Sequence, residues 1–211
     1  MEQLELADVT IRWISVSDMA NNVYLITANA SGQQVLIDAA DDADAIADLI
    51  AAGSGRPLTA VLTTHRHWDH VRALAEVAGE GVTAYAGAAD AEAIEAETGA
   101  VIDVPVNHAE VLDFDGFSLE AIALRGHTPG SIAFLLRDSS GREVLFSGDS
   151  LFPGGPGKTW SEADFASLMD DLGDRVFARL DDAVTVLPGH GEGTTLGAER
   201  PHLAQWRERG W

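Results

Sequence analysis

The sequence predicts an α/β fold of two sheets with helices on the outside. Three observations carry this. Short apolar runs rich in β-branched residues open the chain, strands then alternate with helical patterns, and a second group of strands leads into a helix, a strand and a helix. Residues 9–16, 23–27 and 35–37 read as the opening strands. Residues 41–52 read as a helix, with Ile46, Leu49 and Ile50 at three- and four-residue spacing and Asp41, Asp42 and Asp44 at its electropositive start. An apolar strand over 60–63 follows, then a helix over 71–78, a strand over 82–86 and a helix over 88–98 stopped by Gly99. The next strands are 110–114, 117–124, 131–137 and 143–146, the first two joined by the hairpin pair Asp115-Gly116. Ser161-Glu162-Ala163-Asp164 is a capping-box pattern. It opens a helix with Phe165, Leu168, Met169, Leu172, Val176 and Leu180 on one face and Arg175 and Arg179 toward its negative end. Residues 184–187 form a last strand and 200–209 a last helix. With no linker and no repeat, the chain reads as a single domain over 1–211.

Composition excludes several classes of function. The 211 residues carry 34 acidic and 13 basic side chains, a net charge of −21, and no cysteine. That charge argues against a nucleic-acid partner and against an anionic membrane surface. The missing cysteines exclude a disulfide scaffold, a thiolate-ligated metal and a Cys nucleophile. The acidic start Met1-Glu2-Gln3-Leu4-Glu5-Leu6 is unlike a signal peptide, and no run reaches the ~20 apolar residues of a membrane span. The expectation is a soluble, cytoplasmic protein acting on a small molecule. Its oligomeric state is left open.

The informative segment is His65-Arg66-His67-Trp68-Asp69-His70, placed directly after a buried-looking strand. Imidazole and carboxylate suit zinc and similar divalent ions. Three further segments share one design, an apolar strand, a glycine and then a ligand-type residue: Gly126-His127, Gly148-Asp149 and Gly189-His190. Ligands on tight loops at strand ends belong to a site built on a rigid scaffold. Two metal ions with three ligands each and one shared carboxylate would use all seven residues and leave positions open for water. His108, in a polar loop, and His202, in a charged terminal helix, read as non-ligands. Asp38, after the strand at 35–37, reads equally as an acceptor for a ligand imidazole N–H and as an ordinary strand-end residue.

The segments His65-Arg66-His67-Trp68-Asp69-His70, Gly126-His127-Thr128-Pro129-Gly130-Ser131, Phe146-Ser147-Gly148-Asp149-Ser150-Leu151-Phe152 and Pro188-Gly189-His190 resemble the metallo-β-lactamase superfamily. Within it they look like the glyoxalase II (hydroxyacylglutathione hydrolase) branch, without that branch's C-terminal helical domain. The resemblance implies a four-layer αβ/βα sandwich with its site at one edge. It implies His65, His67 and His127 on one metal ion, Asp69, His70 and His190 on a second, and Asp149 bridging them. Zinc is the first expectation, with iron or manganese also suited to such ligands. It further implies a dinuclear hydrolase that cleaves a thioester or related acyl ester with a metal-bridging hydroxide, and Asp69 is the candidate catalytic carboxylate. Glyoxalase II enzymes carry a similar Gly-Lys after the bridging aspartate, so Lys158 and the neighbouring Trp160 are candidate substrate contacts. Gly154-Gly155-Pro156-Gly157-Lys158-Thr159 only mimics a phosphate-binding loop, because Phe152 stands where its first glycine is required. Alternatives are a persulfide dioxygenase-type oxidoreductase with one iron on His65, His127 and Asp149, whose relatives carry Arg at the Lys158 position, and a lactonase, which would place Tyr24 or Tyr85 at the metals. A non-catalytic module is disfavoured, since no ligand is missing.

Overall fold

Residues 1–210 are described by a computed structural model. One sheet holds β1 (Glu2–Glu5), β2 (Val9–Val16), β3 (Asn21–Ala28), β4 (Gln34–Ile37), β5 (Leu58–Thr63), β6 (Thr83–Gly87) and β7 (Val104–Val106), in that spatial order. Its first four strands pair antiparallel through tight turns, and β4 to β7 pair parallel. Parallel neighbours need crossovers. These are α1 (Ala43–Ala51), the segment containing α2 (Leu74–Val77), and α3 (Ala91–Thr98).

The second sheet contains β8 (Val111–Phe114), β9 (Phe117–Ala123), β10 (Ile132–Arg137) and β11 (Glu143–Gly148), then β14 (Thr185–Pro188) and β15 (Thr194–Thr195). β12 (Leu151–Phe152) and β13 (Gly155–Pro156) form a separate small hairpin. The helices α4 (Glu162–Asp171), α5 (Leu196–Glu199) and α6 (Leu203–Arg209) cover the outer face of this sheet.

Alternation along the strands builds three apolar seams. Tyr24 and Ile26 of β3 face the space between the sheets, where Ile11, Leu62, Phe134 and Phe146 also pack. Val23 and Leu25 face the other way, against Ile46, Leu49, Leu74 and Ile94 of the first helical layer. On β10, Ala133 and Leu135 face Leu168, Met169 and Val176 of the second helical layer. Each large side chain so buried contributes ~1.5–3 kcal/mol. The result is helices, sheet, sheet, helices, as expected. Among the described residues no helix is long and apolar enough to cross a membrane.

Element boundaries depart from the sequence pattern where the chain has other partners. The helix expected over 71–78 shortens to α2, because the Arg72 and Ala73 N–H groups donate to the Ala40 and Ala39 carbonyls. The helix opened by Ser161, whose hydroxyl accepts from Asp164 N–H, winds into a π segment over Leu172–Phe177 yet keeps its apolar face buried. The terminal helix begins as a 3-10 turn over Arg200–His202, at Pro201, and α5 precedes it. The strands missed in the sequence, β1, β7, β12, β13 and β15, are two to four residues long. Two or three residues cannot display a period of two, and β1, Glu2-Gln3-Leu4-Glu5, has no β-branched residue.

Candidate metal centre

All the ligand-type residues hang from one edge of the sandwich. Asp38 follows β4, His65 to His70 follow β5, Asp149 follows β11, His190 follows β14, and His127 lies in the connection from β9 to β10. Open α/β sheets place their sites at the carboxyl ends of parallel strands. Three of these loops pass through glycines that admit no side chain. A Cβ on Gly148, at φ +50°, would stand 2.7 Å from the Thr64 side chain, and one on Gly189 would stand 2.7 Å from His70 Cε1. Trp68, Asp69 and His70 form a 3-10 turn, which brings Asp69 to His190 while the His70 ring stays 4.2 Å from that of His65.

The seven side chains converge. His65, His67 and His127 bring ligand atoms within 4.8 Å of one another, and so do Asp69, His70 and His190. Asp149 lies between, 3.4 Å from His70 Nε2 through Oδ1, and 3.5 Å from His127 Nε2 and 3.4 Å from His190 Nε2 through Oδ2.

Hydrogen bonding settles which ring nitrogens carry protons. His70 Nδ1 donates to Asp38 Oδ2 at 2.9 Å, His127 Nδ1 to the Lys158 carbonyl at 2.7 Å, and His190 Nδ1 to the Met19 carbonyl at 2.8 Å. Thr64 Oγ1 spends its proton on Asp38, so it accepts from His65 Nδ1 at 3.0 Å. In their neutral form these four rings therefore turn an Nε2 lone pair inward. His65 Nε2 meets His67 Nδ1 at 3.1 Å, and His70 Nε2 meets His190 Nε2 at 3.1 Å. The buried His127 Nε2 and Asp149 Oδ1 have no hydrogen-bond partner among the described residues. Lone pairs and carboxylates aimed at common points, with their outer nitrogens already fixed, fit divalent cations.

The two halves differ in proton affinity. Burial and neighbouring imidazoles hold His65 well below the usual histidine range and His67 down to about 4, and burial lowers His127. Burial also opposes protonation of His70 and His190, but Asp149 with Asp38, and Asp149 with Asp69, outweigh it and raise both to about 10. Burial favours the neutral acids Asp69 and Asp149, yet His190 and other partners hold both below the usual carboxylate range. Only one proton fits between Nε2 atoms 3.1 Å apart. At neutral pH that half holds a proton which a cation must displace, whereas the other half holds none. Cation binding is therefore expected to release about one proton per chain and to tighten as pH rises through roughly 6 to 9. Calorimetry in buffers of differing ionisation enthalpy measures this, and binding without proton release would contradict it.

Residues 16–190 match the family model described as "Metallo-beta-lactamase superfamily".

The chain belongs to the metallo-beta-lactamase superfamily.

It is 38% identical over 92 residues to the hydroxyacylglutathione hydrolase GloC of Haemophilus influenzae, a match covering 43% of this chain and 42% of GloC. It is 34% identical over 161 residues to the hydroxyacylglutathione hydrolase of Ruegeria pomeroyi, covering 72% of this chain and 59% of that one. The chain thus spans about half the length of these two curated relatives. Among solved structures, ETHE1 from Myxococcus xanthus superposes with a TM-score of 0.76 at 28% identity, covering 92% of this chain and 82% of that one.

In this superfamily member several supporting residues emerge only in three dimensions. Asp38, at φ +58°, accepts from Thr64 N–H, Thr64 Oγ1 and His70 Nδ1, so it is the imidazole acceptor rather than a loop bystander. Asp38→Asn is expected to weaken metal binding ~10–100-fold, because the amide can present N–H to His70 Nδ1 and turn its tautomer over. Competition with a chromogenic chelator reads the change, and equal affinity would remove this role. Asn21 Nδ2 donates to Asp69 Oδ2 at 2.9 Å. Asp90, fully buried, accepts from Arg66 N–H, Thr128 Oγ1 and Gly130 N–H, tying the His65–His67 loop to the His127 loop. Asp171 accepts from Arg125 N–H, Nε and Nη2 just before Gly126. For Asn21 the sequence offered one hint, the polar pair Asn21-Asn22 just before the apolar strand read at 23–27, and it named no partner. Asp90 and Asp171 carried none.

The site opens past His67. Lys158 and Trp160 border it. The Trp160 Nε1 donates to the His127 carbonyl at 3.2 Å, and Lys158 Nζ rests 4.4 Å from the centre of the Trp160 ring. His108 and His202 are exposed and lie outside these groups. Tyr24 Oη donates to the Pro188 carbonyl and Tyr85 packs on Phe114, so neither phenol lies among the seven residues.

Proposed function

We propose that the chain acts as one domain and is a two-metal hydrolase of a thioester or related acyl ester. The observation carrying this is the pair of donor groups, His65 with His67 and His127, and Asp69 with His70 and His190, flanking Asp149. Two divalent ions held there, zinc first and iron or manganese also suited, would polarise the acyl carbonyl and lower the pKa of a water. The chain's own residues supply the rest. Asp38, Thr64, Met19 and Lys158 orient the imidazoles through their outer nitrogens. Asp69, fixed by Asn21, would accept a hydrogen bond from the attacking water and pass its proton toward the departing sulfur. The water oxygen bonds to the carbonyl carbon, the C–S bond breaks, and acid and thiol leave. Lys158 and Trp160 would contact the substrate at the mouth.

Likeness to hydroxyacylglutathione hydrolases favours a thioester. The partial coverage of those chains leaves the thiol carrier a separate question. The test is metal analysis beside a panel of S-lactoyl thioesters and lactones. The expected result is two metals per chain and thioester turnover that a chelator abolishes and metal restores. Full activity with fewer than two metals would sink the dinuclear reading. Oxygen uptake with a persulfide by a one-iron protein would install the oxidoreductase instead.

A further inference from the structure

Beside the donor cluster runs an open groove of about 470 Å3, lined by Arg66, His67, Trp68, Ala93, Glu97 and Trp160. It shares His67 with the cluster, so a group lying in it is within covalent reach of a carbonyl at the cluster. Among the described residues the exposed large apolar side chains are Met1, Met19, Val101, Val111, Trp68 and Trp160, and both tryptophans line this groove. Trp68 is 45% exposed and Trp160 57%, whereas Trp206 is buried and Trp13 packs against the inter-sheet core. Exposed indoles cost hydration and persist where something covers them.

Both rings are also held in place. The Arg72 guanidinium stacks 3.7 Å from the Trp68 ring centre, and Asp41 in turn holds Arg72. Trp160 is held by its bond to the His127 carbonyl and by Lys158. Fixed aromatic walls bind at low entropic cost. The charged residues at the groove are one of each sign, Arg66 and Glu97, and Arg66 already faces Asp90. Arg72, stacked on Trp68, is neutralised by Asp41. Lys158, on Trp160, stands outside the lining and is free to meet a polar part of the substrate, so the groove itself suits an uncharged occupant.

We propose that this groove takes an uncharged apolar substituent of the substrate, flat or chain-like, with Trp68 and Trp160 setting the preference. The inference rests on the hydrolase reading above and names the substrate class for it.

Two substrate series test it on metal-loaded protein. One varies the acyl group from acetyl to hexanoyl to phenylacetyl on a compact neutral thiol, N-acetylcysteamine. The other varies the thiol on a fixed acetyl group. In one series kcat/KM is expected to rise about tenfold or more with apolar size. That preference is expected to shrink about tenfold in Trp68→Ala and Trp160→Ala, chiefly through KM. Trp160→Phe, which keeps a ring but loses the bond to His127, is expected to retain most of it. Calorimetry with an uncleavable thioether bearing the favoured group gives a readout independent of turnover, expected to weaken about tenfold in each alanine variant. Tryptophan-dependent thioether binding without turnover of any thioester would overturn the hydrolase reading and leave the groove standing. Turnover indifferent to apolar size, with thioether binding equal in wild type and the double alanine variant, would overturn the groove and leave the hydrolase standing.

Discussion

Replacing Asp149 by asparagine is expected to lower turnover on the order of a thousandfold, the several kcal/mol that charge stabilisation at a metal centre supplies. The substitution keeps the volume. It removes a negative charge that faces His70, His127 and His190 at 3.4 to 3.5 Å and is itself 12% exposed. It also presents an amide N–H to Nε2 lone pairs that all point inward, and one such bond occupies a donor the metal requires. Metal content is expected to fall with activity, while circular dichroism stays that of the wild type, since no apolar seam is touched. The metal-free variant carries a second signature. With the carboxylate gone, His70 and His190 lose the largest influence that raises them to about 10 and titrate nearer the ordinary histidine range. Nuclear magnetic resonance of the imidazoles reads that shift. Activity retained within tenfold would show that Asp149 does not join the two halves.

Gly189→Ala is the second large effect, and its origin is steric. The added Cβ would overlap Asp149 Oδ1 and stand 2.7 Å from His70 Cε1. The backbone cannot retreat, because Gly189 N–H donates to the Gly148 carbonyl at 2.9 Å and its own carbonyl accepts from Asn22 N–H at 2.8 Å. The carboxylate and the imidazole must therefore move. A shift of about 1 Å at reacting groups costs on the order of a hundredfold in rate, and overpacking of this kind costs ~1–3 kcal/mol of stability. The expected result is a folded protein with a modestly lower Tm, reduced metal content and about a hundredfold lower kcat/KM. A variant that loses Tm alone, with metal and rate intact, would show that the glycine serves folding rather than the site.

The seven cluster residues were legible because each announces itself locally. His65, His67, Asp69 and His70 crowd one loop, and His127, Asp149 and His190 each follow an apolar strand and a glycine. The glycines make sense afterwards, as places where the loops cross too closely for a Cβ. Asp38 was half legible. A carboxylate after a strand has two readings, and only the 2.9 Å approach of His70 Nδ1 chooses between them. Asn21 is harder still, since its partner Asp69 lies 48 positions away. Asp90 looks like a helix cap, yet its side chain caps nothing and instead joins two ligand loops. The short strands β12, β13 and β15 exist because neighbours offer them partners, a property that no window of two residues can display.

By itself, the sequence determined the class of fold, the residue types at the site and the kind of ion they suit. Periodicity, turn glycines and donor chemistry are local properties, written within a few positions of each residue. The tertiary structure alone decided the rest. It fixed which imidazole nitrogen faces inward, and that Trp68 and Trp160 share one groove beside His67. Tautomers, proton affinities and grooves depend on distances between segments that the chain order keeps far apart. Those distances exist only once the two sheets have packed.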